Sequence, residues 1–290
     1  MDDLLPLYRT PEGMASAMAA YDSALARLRV PYETLAVPTR FGQTRVLAAG
    51  PRGAPTLVMP HGWNGNAAGW WPQINTLAES LRLYAPDTIG QAGRSAPARP
   101  STRGPAYGLW LADVLDALQL ARPALVGGSG GAWLILKLAE VAPERIGRAI
   151  LLSPAGFVPP RLRFLLRAAW IGMLRPDATT PMRYARLASP PPLRIDESEV
   201  RLGAPALLSL KPQLPPPVLP NRTLRRLAAP TMLLVGEHEA IFPPRAVLGR
   251  ARRTLPNLVH AEIVSMAGHN LSYEQPELVN ARILDFVMLD

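Results

Sequence analysis

Residues 125–134 read LVGGSGGAWL, an apolar run that breaks into four glycines around one serine and then turns apolar again. Glycine inside a strand or helix costs roughly 0.5–1 kcal/mol relative to alanine, so this cluster builds neither element well. It suits a sharp turn between the two. ALVG (124–127) just before it reads as a strand, and WLILKLAEVAPERI (133–146) after it has helical periodicity. Gly127, Ser129 and Gly131 therefore complete G-x-S-x-G in a strand–turn–helix setting, the context in which that motif carries chemistry. Such a turn holds the serine at positive φ and presents its hydroxyl at a helix N-terminus, where partial positive charge and the NH of Gly130 favour a developing oxyanion. Ser129 is the candidate nucleophile. The plain alternative is a glycine-rich connection between two elements.

Working outward, short β-rich runs alternate with helix-like stretches. YETLAV (32–37) and TRVLAA (44–49) read as a hairpin across a Pro/Gly-containing turn. LVM (57–59), LRLYAP (81–86), ALVG, AILL (149–152), MLLVG (232–236) and AEIV (261–264) follow as separate strands, eight in all. WPQINTLAES (71–80) and YGLWLADVLDALQL (107–120) are among the helical stretches between them. This order predicts an α/β fold, a mostly parallel sheet flanked by helices on both faces. PEGMASAMAAYDSALARL (11–28) adds an N-terminal helix with Thr10 as N-cap and Pro11 in its first position.

The alternation stops after Ser153 and resumes near Pro230. Between them lie helix-like RFLLRAAWIGML (163–174) and the proline-dense tracts 190–192 and 212–220, which fit no central strand or helix interior. Residues 157–228 are read as an inserted, largely helical cap on a core formed by 1–156 and 229–290. The net charge of +9 has the same address: residues 157–229 hold twelve Lys or Arg against four acids, and the rest of the chain nineteen against eighteen. No aromatic-interleaved basic surface or reader motif accompanies it, so nucleic acid is not the expected partner. The basic segment could attract anionic substrates or an anionic membrane surface, or be a solvated arginine-rich face.

No apolar stretch approaches the roughly 18 residues of a membrane span, and no basic region feeds an apolar segment at the N-terminus. The cytoplasm is the default compartment. The chain has no cysteine, which excludes disulfides and thiolate metal sites.

A serine nucleophile needs a base, and the four histidines are His61, His238, His260 and His269. His269, in SMAGHNLSYEQP (265–276), lies after the last strand and follows the serine in chain order, as this architecture requires. His61 and His260 read as structural, and His238 as packing beside the acid. That acid is expected after MLLVG, where GEHEAIFPP (236–244) offers Glu239, with Glu237 as competitor. The end of the preceding strand, LLSPAG (151–156), offers Ser153 and no carboxylate. A second oxyanion donor is expected in PHGWNG (60–65), at the NH of Trp63 beside Gly62. Trp70, Trp71 and Phe242 are candidate pocket residues, with packing of the core rim the equal alternative for the tryptophans. PDTIGQAGRS (86–95), with Asp87, Gly90 and Gly93, reads as structural tight turns.

PHGW, VGGSGGAWL, LLVGEHEAIFPP and AGHNLSYEQP, in this order and spacing, resemble the α/β-hydrolase superfamily over residues 30–156 and 229–290. PEGM, VPYETLAVPTRFGQT, PDTIG and GEHEAI are similar to bacterial carboxylesterases of the naproxen-esterase type. The resemblance implies a triad of Ser129, His269 and Glu239, with Trp63 and Gly130 as oxyanion donors, acting on a small-molecule ester without metal or organic cofactor. Lactone, amide or carbon–carbon hydrolysis, perhydrolysis and a non-catalytic receptor remain alternatives on the same fold. The natural substrate and the oligomeric state are not readable from these residues.

Overall fold

Alternating apolar and polar residues over 32–49 fold into the expected hairpin. Strands β1 (Tyr32–Thr39) and β2 (Gly42–Ala49) pair antiparallel, with Gly42 at φ 104° at the turn. The structure is a computed structural model that describes residues 2–173 and 177–289. Leu174 of the predicted helix and Arg175 of the basic segment lie outside them. The remaining strands are β3 (Thr56–Val58), β4 (Arg82–Pro86), β5 (Ala124–Gly128), β6 (Arg148–Leu152), β7 (Thr231–Gly236) and β8 (Leu258–Val264). They form one eight-stranded sheet in the order β1-β2-β4-β3-β5-β6-β7-β8. Only the β1–β2 and β2–β4 pairings are antiparallel.

The parallel strands are apolar because both faces are covered: every residue of β7 is buried. One face packs α3 (Ala106–Ala117), α4 (Gly130–Val141) and α9 (Pro244–Thr254). The other packs α1 (Pro11–Leu25), α2 (Trp71–Leu77) and α10 (Pro276–Met288). Each Leu, Ile or Val so enclosed contributes about 1.5–3 kcal/mol relative to exposure, which fixes the register of the central strands. Thr10 caps α1 as expected, its side chain accepting from the Gly13 amide at 3.1 Å.

Between β6 and β7 the chain leaves the sheet for α5 (Leu162–Met173), α6 (Thr180–Ala188), α7 (Glu197–Ser209) and the single turn α8 (Asn221–Leu224). The segment is tied down at several points. Leu219 N donates to Gly156 O at 2.8 Å, and Trp133 Nε1 of α4 donates to Pro217 O at 3.1 Å. Helix α7 shares a separate apolar cluster with the N-terminal segment, in which Leu4, Leu7, Tyr8, Met14, Ala17 and Met18 meet Ala206 and Leu210. The N-terminal helix therefore packs on inserted helix as well as on the sheet, a contact that no local sequence pattern announces.

Candidate active site

Ser129 follows β5 directly and adopts φ 49°, ψ −110°, a conformation rare for a residue with a side chain. Its amide donates to Leu152 O of β6 at 2.8 Å, and its carbonyl accepts from the Trp133 and Ala155 amides, both at 3.2 Å. Backbone on both sides thus holds the turn. A Cβ on Gly131 would lie 2.0 Å from Pro60 O, and one on Gly130 would lie 2.7 Å from Trp63 N. The start of α4 and the loop after β3 therefore touch backbone to backbone. Gly128 differs: a Cβ there would meet nothing within 4 Å.

That close approach brings the amides of Trp63 and Gly130 together, and among the described residues neither donates to a protein acceptor. The Trp63 loop is braced from three sides. His61 is buried with its Nδ1 donating to Gly62 O at 2.8 Å and its Nε2 accepting from Thr88 N at 2.9 Å, the pattern of a neutral ring. Burial holds its pKa below the ordinary value against the pull of Asp87. Asn64, at φ 66°, donates its amide to Gln91 Oε1 at 2.7 Å, and Gln213 Nε2 of the inserted segment reaches both Asn64 Oδ1 and Gln91 Oε1 at 2.8 Å. The indole of Trp63 packs edge-on against Tyr107 and Trp133, with centroids 5.5 and 6.0 Å away.

The loops after β7 and β8 meet because a Cβ on Gly236 would fall 2.2 Å from Gly268 O. His269 Nδ1 lies 2.7 Å from Glu239 Oε2. Glu239 is buried, and its other oxygen accepts from the amides of Ile241 at 2.6 Å and Phe242 at 3.2 Å. Burial pushes the Glu239 carboxyl up, but the charge and hydrogen bond of His269, with the two amides, leave it below its ordinary value. Burial likewise opposes the charged form of His269, yet Glu239, with help from Glu274, carries the imidazole above its ordinary value.

The other candidates lie elsewhere. Glu237 is half exposed and accepts from Met266 N at 3.3 Å; His238 lies 3.8 Å from Glu237 and His260 3.0 Å from Glu262. Ser153 is buried with its Oγ unpartnered. Phe242 corrects an expectation: it is not in the cavity wall. Its amide is committed to Glu239, and its ring sits in the core 5.8 Å from the His269 ring.

A cavity of about 810 Å³ opens at the C-terminal ends of the parallel strands, lined by Ser129, Gly128, His269 and the Trp63 loop. Trp70 and Trp71 line it as well. Its outer wall comes from residues that sequence reasoning did not single out, among them Tyr184, Ile195, Glu199 and Leu207 of the inserted segment and Ala17 and Ala20 of α1. Also missed was Glu274, which accepts from Gly268 N at 2.6 Å and from Ser189 Oγ at 2.5 Å, joining the His269 loop to the inserted segment. No cluster of three metal-ligating side chains occurs among the described residues.

Comparison with known proteins agrees with this architecture. Residues 55–191 match the α/β hydrolase fold family. The chain is 34% identical to carboxylesterase YbfK of Bacillus subtilis over 277 residues, covering 92% of each chain. It is 33% identical to the carboxylesterase nap of the same organism, covering 92% of this chain and 90% of that one. The crystal structure of carboxylesterase CesB (YbfK) superimposes with a TM-score of 0.85 at 32% identity, over 96% of this chain and 99% of the other. That of naproxen esterase from Bacillus subtilis gives the same TM-score and coverage at 29% identity. An eight-stranded sheet with a glycine-bounded serine at its centre, matched over nearly its whole length by these enzymes, places the chain in the α/β-hydrolase superfamily, among the carboxylesterases of the naproxen-esterase type.

Proposed function

We propose that this chain hydrolyses small carboxylic esters by two-step acyl transfer through Ser129, His269 and Glu239. The observation that carries the proposal is the 2.7 Å contact between His269 Nδ1 and the buried Glu239 carboxylate, made at the rim of the cavity that Ser129 lines. Glu239 fixes the imidazole with Nδ1 protonated, which leaves Nε2 as the base. His269 removes the Ser129 proton as Oγ attacks the ester carbonyl, and the Trp63 and Gly130 amides receive the oxyanion. The imidazolium returns the proton to the leaving alcohol. Water, activated by the same ring, then attacks the acyl-serine and releases the acid. No step needs a cofactor.

Residues 157–228 act in this reading as the cap of a core made of 1–156 and 229–290. Tyr184, Ile195 and Glu199 supply cavity wall from the cap side, and Trp63, Trp70 and Trp71 supply it from the core side. The mixture favours esters with a sizeable apolar acyl or aryl group.

Intact-mass spectrometry after exposure to a fluorophosphonate should show one adduct, mapping to Ser129, on the wild type and none on His269→Ala. Failure of both proteins to react would remove Ser129 as a nucleophile. The pH profile supplies a second test. Neutral His269 is the active form, and Glu239 raises its pKa, so kcat/KM should rise with pH through a midpoint above the ordinary histidine value of about 6.5. Glu239→Gln removes the negative charge and should move that midpoint to lower pH. An unmoved midpoint would detach Glu239 from the base.

A further inference from the structure

Helix α5 carries its apolar stripe on the outside. Leu162, Leu165, Leu166, Ala169, Trp170 and Met173 recur at i, i+3, i+4, i+7, i+8 and i+11, the spacing of one helical face, and all six are exposed. Leu162 is 69%, Leu166 63%, Trp170 63% and Met173 78% exposed, while no residue of α5 is buried. The opposite face, with Phe164, Ala168 and Ile171, is half-buried and lies toward α6, whose Tyr184 hydroxyl donates to Ala168 O at 3.1 Å. Scattered exposed leucines are ordinary, but a continuous stripe along a whole helix is a surface awaiting cover.

The charges beside the stripe say what covers it. Arg163 and Arg167 share a helical row with Trp170, at i, i+4 and i+7, so guanidinium groups border the apolar face where an indole ends it. Among the described residues, neither these arginines nor exposed Arg186 on α6 has a carboxylate within salt-bridge distance. They belong to the segment with twelve basic and four acidic residues. Pairing two copies through α5 would set that excess charge against itself. A surface with an apolar interior and anionic headgroups satisfies stripe and arginines together, with Trp170 at the boundary. At twelve residues α5 is about 18 Å long, too short to span a bilayer and suited to lying along its surface.

We infer that α5 docks this protein on anionic lipid surfaces. Helix α6, directly behind it, presents Pro181, Tyr184 and Ala185 to the cavity, so the docked face lies one helix away from the site and delivers amphiphilic molecules to its outer wall. The docking rests on α5 alone and stands whether or not the cavity hydrolyses esters.

Co-sedimentation of the full chain with extruded phosphatidylglycerol/phosphatidylcholine vesicles, and with phosphatidylcholine vesicles alone, tests it. The protein should pellet with the anionic vesicles and far less with the neutral ones. Leu166→Glu combined with Trp170→Glu should lower the partition coefficient by about tenfold or more. Arg163→Gln with Arg167→Gln should lower it roughly fivefold per charge, and added salt should mimic that loss. All four positions are exposed, so an unchanged melting temperature and unchanged turnover of a soluble p-nitrophenyl ester show that the variants are folded. Equal sedimentation of wild type and the Leu166→Glu, Trp170→Glu variant overturns the inference. So does a dimer, seen by light scattering, that this variant dissociates, because the stripe would then belong to a second copy.

Discussion

Ser129→Ala should lower kcat for ester hydrolysis by on the order of 10⁴-fold or more while leaving the melting temperature within about 2 °C of wild type. The size follows from the division of labour at the site. In the proposed mechanism no acyl-enzyme forms without Oγ, so the two-step route closes, and what remains is whatever the Trp63 and Gly130 amides and cavity binding would do for direct attack by water. The fold does not depend on the hydroxyl: the turn is held by backbone bonds from Ser129 N to Leu152 O and from Trp133 and Ala155 N to Ser129 O, all of which alanine keeps. Turnover of a p-nitrophenyl ester series together with calorimetry separates the two effects. Turnover within tenfold of wild type would require another nucleophile.

The largest stability effect should come from a residue with no proposed part in the chemistry. Asp87 is fully buried at the end of β4, and its carboxylate accepts from the Tyr21 hydroxyl at 3.0 Å, the Ala67 amide at 2.7 Å and the Arg94 amide at 2.8 Å. It thereby ties α1, the loop after β3 and the loop after β4 to one point. Tyr21 shows the strength of the enclosure, since burial and the neighbouring Asp87 push its pKa well above the ordinary value. Asp87→Ala leaves two buried donors and one partly buried donor without an acceptor, a loss of about 3–5 kcal/mol. With about 2–4 °C per kcal/mol for a domain of this size, the melting temperature should fall by roughly 10 °C. A drop below about 2 °C would mean that the loops find other partners without Asp87.

Serine, base and acid candidates were legible because each sits in a short loop after a strand whose apolar run marks it locally. Ser129 is bracketed by glycines, Glu239 follows MLLVG, and His269 lies between the last strand and the last helix. The structural reading of His61 was legible too, since it follows a buried strand directly, and both its ring nitrogens are committed to backbone. Phe242 was misplaced because proximity in sequence to Glu239 says nothing about which way a ring turns; the amide that binds Glu239 sends the ring into the core. What could not be read were the contacts between segments distant in the chain. Gln213 with Asn64 and Gln91, and Glu274 with Ser189, join the inserted segment to the loops around the cavity through polar side chains that follow no period. Proline and arginine dominate that segment and hide its helical faces, so the outer cavity wall emerged only in three dimensions.

Gly128 gives the site an unspent degree of freedom. It precedes the serine and lines the cavity, yet unlike Gly130 and Gly131 it has open space where a side chain would stand. Alanine at position 128 would therefore meet no clash at its Cβ and would take space from the cavity beside Ser129. A change in the shape of ligand that the cavity accepts could then arise at this one codon, with no clash at the Cβ standing in its way.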